Sequence, residues 1–189
     1  MTKSIAWEKD MAEARKLART RELPILLFFH NPDCFGCQQM DAVTYPDKRV
    51  SSFIEKNFIP LWLEHDAKPF SSDFNIRWTP TIIILGIHGR EHHRTLGFLD
   101  PADFIANGLL GLGKFHFDNE RFPEALVFFG DVIASYPKND NVAEAIFLSG
   151  VSRYKQSGHR QFLKETYETL SSKYPDNEWT KRAYPYSLL

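Results

Sequence analysis

Ile25-Leu26-Leu27-Phe28-Phe29-His30-Asn31-Pro32-Asp33-Cys34-Phe35-Gly36-Cys37 is the stretch on which the reading of this chain turns. The apolar run 25–29 is too short and too rich in β-forming residues for a helix, so it predicts a buried strand. Asn31-Pro32-Asp33 ends that strand and delivers Cys34 to the first turn of a following helix. There its sulfur meets unpaired backbone N–H groups and the positive end of the helix dipole, and both stabilise a thiolate. The thiolate is the species that attacks disulfides, and Cys37, one turn later, can displace the mixed disulfide that results. The spacing therefore supplies a nucleophile and its resolving partner, which points to thiol–disulfide chemistry.

These are the only two cysteines among the 189 residues. A chain without a structural disulfide framework fits a reducing compartment. With 43% apolar and 14% aromatic residues the chain can bury a real core in one domain or two. Its net charge is −1, with acidic and basic residues interspersed. That pattern lacks the basic stripe of a nucleic-acid binder and the polybasic face of a membrane-surface helix, so neither partner is expected. Residues 1–10 contain no uninterrupted apolar segment and no small-residue cleavage site, and later apolar runs are strand-sized, so a cytoplasmic location is expected.

Outward from the cysteines, residues 4–21 read as an amphipathic helix with Ser4 as N-cap and Trp7, Met11, Ala14 and Leu17 at helical spacing. Residues 38–43 continue helically until Pro46. Asp47 caps a helix reaching Asn57, with Val50, Phe53 and Ile54 inward. Residues 58–63 form a second strand, in which Pro60 suits an edge better than a centre. A short helix over 69–74, a strand over 81–85 and a strand over 91–96 follow. Asp100-Pro101 then has the form of a helix start, and a helix to about Leu110 closes an α/β domain over 1–110. Residues 111–189 contain no strand-like run and read as paired helices. Ser135-Tyr136-Pro137-Lys138-Asn139-Asp140 aligns with Lys173-Tyr174-Pro175-Asp176-Asn177-Glu178, 38 residues on, and Ala145 falls opposite Ala183 in the same register. A period of this size signals a helical array.

The first region resembles the thioredoxin fold. The landmarks are Trp7, the strand opening Leu23-Pro24-Ile25-Leu26, Cys34-Phe35-Gly36-Cys37-Gln38-Gln39-Met40, Asp47, Asn57-Phe58-Ile59-Pro60, Trp78-Thr79-Pro80-Thr81 and Gly97-Phe98. The resemblance implies a thiol–disulfide oxidoreductase in which Cys34 attacks and Cys37 resolves. It further implies a cis Pro80 facing the cysteines, with Thr79 and Pro80 aligning a substrate strand by backbone hydrogen bonds. Gly36 would leave room beside the sulfurs and Phe35 would offer an apolar contact to a docked chain. Substrates would be protein disulfides or dithiols, electrons would come from a reductase or another dithiol protein, and no dissociable cofactor or metal is required. Two positions depart from the family. Asp33 stands where tryptophan is usual, and a carboxylate there should raise the Cys34 pKa. Phe28 stands where a buried carboxylate usually accepts the resolving thiol's proton, leaving His30 as a candidate acceptor. The second region resembles tetratricopeptide repeats at Leu112-Gly113, Ala125, Phe129 and Pro137, with Gly150 and Tyr154 opening a second unit. A helical-hairpin module of this kind would recruit a protein partner.

Other readings of the cysteine pair stay open. Half of a zinc site would need two more ligands; His65, His92 and His93 are available, but neighbouring histidines on a strand point in different directions. The pair could also be a relic, the chain then being a non-catalytic adaptor in which both regions bind proteins.

Overall fold

The structure is a computed structural model that describes residues 5–189 and divides into two compact units, Met1–Ile105 and Ala106–Leu189. The cap expected at Ser4 lies outside the described residues.

In the first unit, β1 (Ile25–His30) is the strand expected before the cysteines. It lies between β2 (Ile59–Glu64), which pairs parallel to it, and β3 (Thr81–Leu85), which pairs antiparallel; β4 (Glu91–Leu96) completes the order β2-β1-β3-β4. All six β1 positions are buried because both sheet faces are covered. On one face Ile25, Leu27 and Phe29 pack beneath α1 (Met11–Arg21), which contributes Met11, Ala14 and Ala18. On the other face Phe28 sits among Trp7, Tyr45 and Trp62, with ring centroids 5.9, 5.2 and 6.0 Å away.

The N-terminal helix is shorter than its spacing suggests. It begins at Met11, with Asp10 as N-cap accepting from the Glu13 N–H at 2.8 Å. Trp7 belongs instead to an extended segment whose Glu8 bridges Leu61 on the outer side of β2. The four-residue interval between Trp7 and Met11 thus joins two elements that both bury an apolar side chain, and periodicity cannot tell this from one helix. The same segment accounts for Pro60. Glu8 N–H donates to the Pro60 carbonyl and Trp62 N–H to the Glu8 carbonyl, each at 2.9 Å, whereas Ile59 N–H donates to Pro24 on the β1 side. By the alternation of a strand, the position where proline lacks an N–H faces the outer edge and costs the β1–β2 ladder nothing.

After the cysteines, α2 (Phe35–Gln39) passes into a π-helical turn, Met40–Thr44. Then α3 (Lys48–Asn57) starts at Asp47, whose carboxylate accepts from the Arg49 N–H at 2.7 Å. The short α4 (Phe70–Asp73) leads back to β3. Asp100 caps α5 as expected, accepting from Ala102 and Asp103 N–H groups at 2.8 and 2.9 Å. The expected end near Leu110 is not found, since α5 runs Pro101–Asp118 through three glycines. Glycine lowers helix propensity without forbidding the conformation. The stop comes at Glu120, which takes φ 58°.

The second unit holds the rest of that helix and α6 (Phe122–Ser135), α7 (Val142–Ser157), α8 (Gln161–Lys173) and α9 (Glu178–Ala183), then a 3₁₀ turn, Tyr184–Leu188. The 38-residue sequence repeat is a repeat of conformation. Tyr136 and Tyr174 end α6 and α8 with φ/ψ of −130/51° and −138/54°. In both turns the asparagine three residues on, Asn139 or Asn177, accepts through its side chain from the N–H two residues further, at 2.9 Å. Helix contacts are made over glycine: a Cβ on Gly113 would overlap the Phe129 ring, and one on Gly150 would overlap the Thr166 side chain. No helix of the described residues is long and apolar enough to cross a membrane.

Replacing Gly150 by valine is expected to lower stability by about 2 kcal/mol, because the α7–α8 contact must open. Gly130→Ala, where nothing lies within 4 Å of the added carbon, is expected to raise it by up to about 1 kcal/mol. Urea unfolding followed by circular dichroism separates the two.

Candidate active site

Cys34 and Cys37 are both free thiols, Cys34 half-buried and Cys37 fully buried. The turn that presents them is built by Asn31. Its carbonyl accepts from the Cys34 N–H at 3.0 Å, its side chain accepts from the Asp33 N–H at 2.9 Å, and its own N–H points at the Cys37 sulfur at 3.5 Å. Cys34 is the N-cap residue of α2, one position before the helical turn expected of it. Across the site the Thr79 carbonyl accepts from the Cys34 thiol at 3.1 Å, and the Thr79–Pro80 bond is cis.

Burial of the Cys34 sulfur works against ionisation. Hydrogen bonds to it from the Thr79 side chain, the Cys37 backbone N–H and thiol, and the Gly36 N–H outweigh that cost and bring its pKa below the ordinary 9.0. This corrects the expectation for Asp33. Its carboxylate is exposed and is not among the groups acting on the sulfur. Cys37 behaves oppositely: burial, with the neighbouring Cys34, pushes its pKa up to about 11. The two thiols are thus asymmetric, the accessible one easier to ionise than an ordinary cysteine and the hidden one harder.

Phe28 is fully buried on the face below the site, so an aromatic ring fills the position from which the family's carboxylate would serve. Tyr45, which sequence reasoning did not single out, packs on Phe28. Its hydroxyl is buried without a hydrogen-bond partner among the described residues, and burial, Asp41 and Cys37 hold its pKa well above 10. His30 is buried, with Nε2 3.2 Å from Asp41 Oδ2 and its ring 4.7 Å from Trp62.

The remaining predicted residues gather around Cys34. Gly36 lies against the proline: an added Cβ would come within 2.9 Å of Pro80 Cδ and 3.8 Å of Cys34 Sγ. The room left by glycine is therefore occupied by the Pro80 ring. Phe35 is 74% exposed beside the thiol, and Trp78, which the sequence marks only by its neighbours Thr79 and Pro80, is 66% exposed. Next to Cys34 opens a cleft of about 310 Å³ whose walls include Asn31, His65, Ile76, Arg77, Trp78 and Thr79. No local signal marks His65. It arrives because β1 and β2 are parallel and end at the same edge, where the His65 N–H donates to the His30 carbonyl at 2.7 Å. Among the described residues no three His, Cys, Asp or Glu side chains are grouped to hold a metal ion.

A central strand that delivers a Cys-x-x-Cys pair opposite a cis-proline turn defines a class, and comparison with known proteins agrees. Residues 11–108 match the thioredoxin-like domain family, and the chain belongs to that family. No curated protein matches the chain. Among solved structures it is similar to the oxidoreductase DsbH, at 18% identity and a TM-score of 0.53 over 59% of this chain and 86% of that one. A proposed disulphide-isomerase from Bacteroides thetaiotaomicron gives 18% identity and a TM-score of 0.53 over 59% and 95%. These two likenesses establish the fold.

With both thiols reduced, limiting iodoacetamide at pH 7.5 is expected to modify Cys34 first and to leave Cys37 untouched in the folded chain. The rate at Cys34 should rise with pH through a midpoint below 9.0, as mass spectrometry of the alkylated peptides will show.

Proposed function

We propose that the chain is a thiol–disulfide oxidoreductase acting on protein substrates. The observation that carries this reading is the asymmetry of the pair: a half-buried Cys34 with a lowered pKa facing Thr79 and Pro80, and a buried Cys37 raised to about 11. The Cys34 thiolate attacks one sulfur of a substrate disulfide, the substrate S–S bond breaks, and one substrate thiolate leaves. Cys37 then attacks Cys34 Sγ, forming the Cys34–Cys37 disulfide and releasing the second substrate thiol. The substrate gains two electrons and the protein loses two, which a reductase or another dithiol protein restores. With Phe28 below the site, the Cys37 proton has no buried carboxylate to go to. It leaves with a departing substrate thiolate, and resolution is the slow step. Phe35 and Trp78 flank the sulfur as apolar contacts for the client chain, and Thr79 and Pro80 align it. The second unit acts in this reading as a tetratricopeptide-like module that recruits a protein partner, supported by the repeated Tyr136 and Tyr174 turns and the glycine contacts at 113 and 150.

The reduction potential of the pair, measured by equilibration in glutathione or dithiothreitol buffers and scored by alkylation, is expected to show one reversible two-electron transition. Cys34→Ser should abolish disulfide exchange, whereas Cys37→Ser should accumulate a mixed disulfide with substrate. Failure of any disulfide to form across the accessible range would leave the non-catalytic adaptor as the better reading.

A further inference from the structure

The cleft beside Cys34 has a chemical bias. Of the residues forming its walls, Arg77 carries a permanent positive charge and none carries a carboxylate. Asp33 and Asp66, the acidic neighbours in sequence of Cys34 and His65, are not part of it. The Arg77 side chain is oriented from its own loop: Nε donates to Asn75 Oδ1 at 2.9 Å, and Asn75 takes the left-handed φ of 49°. Held through Nε, the guanidinium keeps its terminal nitrogens for a planar, two-oxygen acceptor. His65 adds a second polar group, with Nδ1 buried and without a hydrogen-bond partner among the described residues. The exposed Trp78 lines the same cleft and supplies apolar contact area.

The geometry points to a substrate preference: the cleft binds a carboxylate side chain on the client polypeptide, an Asp or Glu about two residues from the cysteine that Cys34 attacks. This rests on the oxidoreductase reading above. The spacing follows from the chain itself. Arg77 and Thr79 are two residues apart, at most about 7 Å of extended backbone. A client strand lying along residues 77–79 with its sulfur at Cys34 brings a residue about two positions away level with Arg77. A volume of about 310 Å³ is room enough for a side chain and its flanking backbone.

The test uses the full chain in its reduced form and three peptide disulfides identical except for Glu, Gln or Lys two residues from the reactive cysteine, with neutral hydroxyethyl disulfide as reference. The second-order rate of Cys34 attack is expected to fall about 5-fold from Glu to Gln and about 10-fold from Glu to Lys at low salt, and the differences should shrink at 1 M salt. Arg77→Gln should abolish the ranking when each peptide rate is divided by the same variant's rate with hydroxyethyl disulfide. Equal wild-type rates for the three peptides, or a ranking that survives Arg77→Gln, would overturn the inference. If even hydroxyethyl disulfide does not react, it is the oxidoreductase reading that fails. The cleft is then judged by calorimetric binding of the same peptides with serine in place of cysteine: Glu must bind at least about 5-fold more tightly than Lys, and equal binding overturns it.

Discussion

The first unit depends on a strand buried along its whole length. Six consecutive positions of β1, from Ile25 to His30, are covered on both faces. Burying a large apolar side chain contributes about 1.5–3 kcal/mol, and Leu27, Phe28 and Phe29 are each fully buried. The strand can therefore neither slip in register nor turn over without exposing an entire face. The position at which it ends is fixed with it, and the next four residues carry Cys34 into the site. Precision at the sulfur comes from the hydrophobic pattern upstream of it.

Chemistry at the site arises from placing two identical side chains in unlike surroundings. Four residues of chain separate an exposed turn from the core, so Cys34 meets hydrogen-bond donors at the surface while Cys37 is enclosed. Thr79 and Pro80 approach from the start of β3, the neighbour of β1, so the sheet ladder sets the distance between Cys34 and Pro80. The face below the site is aromatic, and the charges around His30 lie at its margin, on Asp41 and Glu64. Burial, with the neighbouring Cys34, keeps the Cys37 thiol hard to ionise.

In the second unit, order comes from a short local rule used twice. A helix ends at tyrosine, the following asparagine folds back onto the chain, and a new helix starts. The Tyr136 and Tyr174 turns share both dihedral angles and hydrogen bonds, so the same local sequence is read into the same local conformation twice. Close approach between neighbours then needs only a glycine, as at Gly150 against Thr166.

The sequence by itself determined the central strand, the cysteine pair that follows, the caps at Asp47 and Asp100, the strand over 91–96 and the repeated turns. Each is a local property: an apolar run, a capping carboxylate, a turn residue. Tertiary structure decided what depends on where separate elements end. Trp7 was assigned to the sheet edge instead of a helix by the pairing of Glu8 with β2. Asp33 lost its expected influence because its side chain is exposed to solvent, and Gly36 proved to accommodate the Pro80 ring. Arg77, Trp78 and His65 became neighbours of Cys34 only because β2 runs parallel to β1 and the loop before β3 returns to the same edge. Local interactions are written in adjacent residues. A cleft drawn from positions 31 to 79 depends on strand order, which no short stretch of sequence contains.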